Sequence, residues 1–226
     1  MRHAHAVDLS HALAWYAEAM RLWKRGPLTF CALAFATLVA NVALELLPRA
    51  GIVAAQAILP LLECSLLYAS LAADRGDRPR LRHLIAIAGA RPAALAAVIV
   101  AGSIVFGIEA LVALQAGGID MLAPGSGAAT ISPGSLLVTY AAGMLVSLPL
   151  SFVPFAALFD GAGFRDAFAA SFQGFARNPL PLLAWGVLSF ALLIVGLLTN
   201  GIGLLLALPW SAASSYAAWK DVFDVR

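Results

Sequence analysis

Glu63 is the side chain in this sequence best placed to do chemistry, because it stands near the middle of an apolar run, Ile52 to Ala73, just past Pro60 and Leu61. A carboxylate at that depth in a membrane costs about 2.5–3.5 kcal/mol and must meet a partner, a cavity or another carboxyl, or take up a proton. It would serve either as an acid that binds a proton or substrate, or as a structural hydrogen-bond partner. Asn41, Glu45 and Gln56 add polar groups to the outer half of the same hairpin, so Asn41, Glu45, Gln56 and Glu63 form a candidate seam for binding a substrate. The same four can equally act as hydrogen-bonding glue between helices. Glu45 and Glu109 both fall close to the outer ends of their runs, where they are expected to reach water.

Other reactive groupings are sparse. His3, His5 and His11 lie near the start of the chain with nothing to complete a ligand set, so neither a metal nor a cofactor is expected. Cys31 and Cys64 sit inside apolar runs without Cys-x-x-Cys spacing and read as inert buried thiols. The phosphate-binding Gly-x-x-x-x-Gly-Lys loop, His-Glu-x-x-His and Gly-x-Ser-x-Gly are all missing, which disfavours an enzyme. No nucleic-acid partner is expected.

Apolar helices must position these residues. The 226 residues are 62% hydrophobic and 12% charged, with a mean hydropathy of +0.90, whereas soluble domains carry about 25% charged residues. The fold class is therefore an all-α integral membrane protein. Six runs, 27–47, 52–73, 92–114, 136–159, 179–198 and 202–219, each have about the length needed to cross ~30 Å of hydrocarbon. They group into three modules, 1–77, 78–161 and 162–226, each an amphipathic interfacial helix followed by a transmembrane hairpin.

The opening helices carry their pattern plainly. In the first, Ala12, Trp15, Tyr16, Ala19, Leu22 and Trp23 oppose Glu18, Arg21, Lys24 and Arg25; in the third, Phe164, Phe168, Phe172 and Phe175 oppose Asp166, Gln173 and Arg177. The second is weaker, with Leu81, Leu84, Ile85 and Ala88. Such helices are expected in the lipid interface or against the bundle. Arg-Gly-Pro-Leu at 25–28, Arg-Pro at 91–92 and Arg-Asn-Pro-Leu at 177–180 mark the module boundaries, and the hairpins close at Asp74, Asp160 and Asp221. Punctuation in register suggests an internal repeat.

Charge gives the topology. With six spans, thirteen of the fourteen Lys and Arg residues fall on one side and only Arg49 on the other, which places both termini and the amphipathic helices in the cytoplasm. No removable signal peptide is read at the start of the chain. Gly143, Ser147 and Ser151, and again Ser211 and Ser215, recur at four-residue spacing and are expected to let helices approach closely. Pro60, Pro149, Pro154 and Pro209 interrupt the returning runs, as bends in a packed bundle or as the lining of a cavity.

The ends WKRGPL and FARNPL of the two aromatic helices, the six runs and the closing YAAWKDVF resemble an uncharacterised family of bacterial six-helix inner-membrane proteins. The layout is similar to YciC-like proteins and to the membrane domain of some glycerophosphodiester phosphodiesterases. That resemblance implies a bacterial inner-membrane location and six helices, and it carries over no catalytic residue. The expected function is lipid or small-molecule binding or transport within the bilayer, with membrane lipids as partners. The alternative is a non-catalytic scaffold or accessory subunit that binds another membrane protein or a second copy of itself; an enzyme comes last.

Overall fold

The computed structural model describes residues 3–47, 49–123 and 132–225, and every regular element among them is helical. In chain order the α-helices are α1 (His11–Trp23), α2 (Pro27–Glu45), α3 (Ala50–Asp74), α4 (Pro92–Gly117), α5 (Pro133–Ser147), α6 (Val153–Leu158), α7 (Phe164–Arg177), α8 (Pro179–Leu198) and α9 (Leu204–Val222). Five segments of the described residues are long and apolar enough to cross a membrane: α2, α3, α4, the combined stretch Pro133–Leu158, and α8. The chain is a membrane-embedded, all-helical protein. Arg2, Pro48, residues 124–131 and Arg226 lie outside the described residues.

Proline starts α2, α4, α5 and α8. Its missing N–H costs nothing there, because the first helical turn has no internal acceptor to offer. The end of α4 is set by Gly118 at φ 66°, whose N–H bonds to the Leu114 carbonyl at 2.9 Å. Pro60 lies inside α3. Its ring packs on Gly102 of α4, where a Cβ would come within 2.6 Å of Pro60 Cγ. Without a side chain at Gly102 the two helices close up, and dispersion gained by such approach holds spans together where lipid offers no hydrophobic drive.

The run expected as one span over 136–159 is broken. It consists of α5, a 3-10 turn at Leu148–Leu150, and the short α6. Pro149 and Pro154 supply no N–H, so two rungs of the helical ladder cannot form. The second opening segment, Leu81–Gly89, is likewise 3-10 and not α-helical.

The run expected as the sixth span forms α9, which contains Pro209, three serines, Lys220 and Asp221 and is not among the five most apolar helices. It packs against α1, α2, α3 and α8. The main core gathers here: Phe155 stacks on Trp219 with centroids 5.3 Å apart and planes at 12°, and Tyr216 and Phe159 pack around them. A smaller alanine-rich core joins Ala94, Ala97 and Ala101 of α4 to Val153, Ala156 and Ala157 of α6 and Ala167 of α7.

Candidate functional site

The residues of the expected seam sit on two helices, and the structure adds two more helices to them. On α2, Asn41 Nδ2 donates to Glu45 Oε1 at 2.9 Å, and Glu45 is exposed. On α3, Gln56 is half-buried and its amide reaches only the Ile52 carbonyl of its own helix, at 3.5 Å. Glu63, two turns further on, is exposed by area although many atoms of the bundle surround it. Its carboxylate has no hydrogen-bond partner among the described residues.

Glu109 of α4 lies within reach of the Glu63 charge. The Glu109 carboxylate rests on buried Gly143 of α5, where an added methyl would collide with it. Tyr140, one turn earlier on α5, lies in the field of both Glu109 and Glu45. Glu109 thus lies against α5 and within the field of Glu63, and the ion pairs of the described residues put no cation beside these carboxylates. Glu109, expected at the water edge, is half-buried between two helices. Carboxylates without a counter-cation in apolar surroundings favour the protonated form or a bound positive group.

The serines at four-residue spacing turn inward on their own backbone. Ser147 Oγ donates to Met144 O, Ser151 Oγ to Leu148 O and Ser215 Oγ to Ala212 O, each at 2.8 Å. The Ser211 carbonyl accepts from Ser214 Oγ at 3.0 Å. These bonds satisfy the hydroxyls locally, as Ser commonly does inside helices.

At the opposite, charge-rich end, Asp74 at the close of α3 binds three elements together. Its Oδ2 accepts from Lys220 Nζ at 2.6 Å and from Tyr216 OH at 3.0 Å, and its Oδ1 accepts from Arg21 at 3.2 Å. Asp221 Oδ2 accepts from Trp15 Nε1 at 2.8 Å and pairs with His11 Nδ1 at 2.6 Å. Arg21 also pairs with Glu18; that carboxylate holds the guanidinium above its ordinary value. Burial raises the Tyr16 phenol, against the pull of hydrogen bonds from Ser189 and Ser214; the Tyr16–Ser189 distance is 2.5 Å. His11 is committed to Asp221, and His3 and His5 are exposed, so the three histidines are not gathered into one site.

Two structural anchors were not singled out from sequence. Asn178 is 1% exposed and fully used: its Oδ1 accepts from Val7 N at 2.7 Å, and its Nδ2 donates to His5 O at 2.8 Å and Gly174 O at 3.1 Å. It ties the chain start to the α7–α8 corner, and its place before Pro179 was the only hint. Ser171 of α7 repairs the broken span. Its Oγ accepts from Phe152 N at 3.0 Å and donates to Pro149 O at 2.8 Å, pairing two backbone groups at the break.

No group of three or more His, Cys, Asp or Glu among the described residues could hold a metal ion. No protein-family model, curated protein or solved structure matches the chain.

Proposed function

We propose that this is a six-span protein of the bacterial inner membrane, both termini cytoplasmic, that binds and moves a small amphiphile within the bilayer. The observation that carries the reading is Glu109, set against Gly143 of α5 within the field of Glu63, with no cation paired to either acid. Retaining such acids in a span is costly unless they meet a proton or a polar head. A head bearing an ammonium or several hydroxyls would satisfy them, and its apolar tail would lie along the lipid-facing side of α3 and α4.

Support for a sixth span comes from α9. Only residues 199–203 separate it from α8, Leu204 packs on Gly196 of α8, and Lys220 meets Asp74 at the end of α3. Nineteen residues rise about 28 Å, a membrane's thickness. Shielded by four neighbours, α9 need not be as apolar as a lipid-facing helix. The scaffold reading has less support, because Gly143 is covered by Glu109 of the same chain and the serines bond their own helices.

Native mass spectrometry of the full chain, released from its own membranes without added lipid, tests the proposal. A defined small molecule should stay with the wild type and be lost from Glu63→Gln and Glu109→Gln, with thermal unfolding unchanged. Equal retention in all three proteins, or a bare wild type, would refute it.

A further inference from the structure

A cavity of about 240 Å³ opens at the charge-rich end, away from the acidic seam, and its lining holds a single charged side chain, Arg91. Its walls come from four places in the chain: Tyr68 on α3, Gly89 and Arg91 at the 3-10 segment and its exit, Ala94 on α4, and Ala157 with Gly161 around the end of α6. Apart from Arg91 and Tyr68 the lining residues are alanine, glycine and leucine.

Neither polar group is used up within the fold. The exposed Arg91 guanidinium makes one long hydrogen bond, 3.4 Å to the Ala162 carbonyl, and enters none of the ion pairs among the described residues. A guanidinium has five N–H donors, so four remain. The Tyr68 hydroxyl has no hydrogen-bond partner among the described residues, although its ring packs edge-on against Phe159 at 5.3 Å. A cation and a hydroxyl donor therefore face one cavity lined otherwise by Ala, Leu and Gly. The positive amino end of α4 lies at the same place and favours the same sign of charge.

Gly161 keeps the cavity open beside the cation. It adopts φ 68°, a conformation that side chains rarely take, and a Cβ there would stand 3.2 Å from the Arg91 guanidinium. The volume suits a head group and not a whole lipid tail. Two side-chain donors with no side-chain acceptor in the lining select an anion, and the fork of a guanidinium matches the paired oxygens of a phosphate.

From this geometry we infer that the Arg91–Tyr68 cavity binds the phosphate of an anionic head group, a site separate from the acidic seam. Arg91 forms the charged pair, Tyr68 donates to a further phosphate oxygen, and the alanine lining accommodates the carbon atoms next to the ester. The same phosphate chemistry is presented by an anionic phospholipid from the membrane or by a soluble phosphate ester. The inference stands whether or not the seam binds an amphiphile.

The test uses the full chain in phosphatidylcholine nanodiscs, titrated with phosphatidylglycerol in one arm and with glycerol 3-phosphate in the other. The wild type should bind at least one of these above the phosphatidylcholine background. Arg91→Gln should weaken that binding about tenfold or more, the loss expected for a charge-assisted hydrogen bond, and Tyr68→Phe should weaken it a few-fold. Arg82→Gln, which removes an exposed cation of the same segment outside the cavity, should change nothing. Binding of the lipid alone assigns the membrane as the source, and binding of the ester assigns a soluble one. Absence of both overturns the inference, as does an equal loss in Arg82→Gln and Arg91→Gln, which would reduce the effect to general surface charge. Thermal unfolding of each variant shows that the fold is retained, and Glu63→Gln should bind the phosphate as the wild type does.

Discussion

Helices α1 and α7 have the same design on paper and are used in opposite ways. Each is a short amphipathic helix with an aromatic stripe, placed just before a proline-started span. In α1 the stripe goes inward: Trp15 is 2% exposed, Leu22 is fully buried, and the helix packs along α9. In α7 the innermost line is Ala167, Ser171 and Gly174, while Phe164 and Phe172 stay exposed and Phe168 and Phe175 are half-buried. The partner makes the difference. Beside α1, the wall of α9 includes Ala217, small enough to receive a tryptophan. Beside α7, the neighbours are large: Phe152 and Phe223 press on Gly174, where a Cβ would stand 2.8 Å from the Phe152 ring. Large packs on small in both, with the roles exchanged, because at close-packed density each contact must be filled by side chains whose volumes fit together.

This contrast is open to direct attack. The largest effect is expected from Trp15→Ala, which empties a filled site and strips Asp221 of a donor; it should cost about 3–5 kcal/mol, read as a fall in the thermal unfolding midpoint in detergent. A loss no larger than that of an exposed residue would mean that α1 is not docked on α9. Ser171→Ala comes next. It orphans the Phe152 N–H and the Pro149 carbonyl at about 1–3 kcal/mol each, and hydrogen exchange at Phe152 should quicken along with the loss of stability. Unchanged exchange would show that Ser171 does not hold the break closed. The smallest effect belongs to Phe172→Ala, which should stay within about 0.5 kcal/mol in detergent because the ring is half exposed. A loss matching Trp15→Ala would make the two helices equivalent after all.

Much of the fold could be read from the chain, since apolar runs, prolines at helix starts and aromatic stripes are local signals. The limits of α2, α3, α4 and α8 follow from such signals to within a few residues. The break between α5 and α6 was written in Pro149 and Pro154, yet its repair depended on Ser171, twenty-two residues beyond Pro149. The seam was half legible: Glu45 and Glu63 stood out as charges in apolar runs, whereas Tyr140 looked like any aromatic residue until helix packing brought it beside Glu109.

By itself the sequence determined that this chain lives in a membrane, that it is helical, and where most of its helices begin, because composition and hydrophobic period act within one stretch of chain. Only the tertiary structure decided which face of α1 and of α7 turns inward, that α9 packs among α1, α2, α3 and α8, and that Glu109 of α4 sits against Gly143 of α5. Those outcomes depend on the shape and charge of a partner distant in sequence, and no local pattern records them.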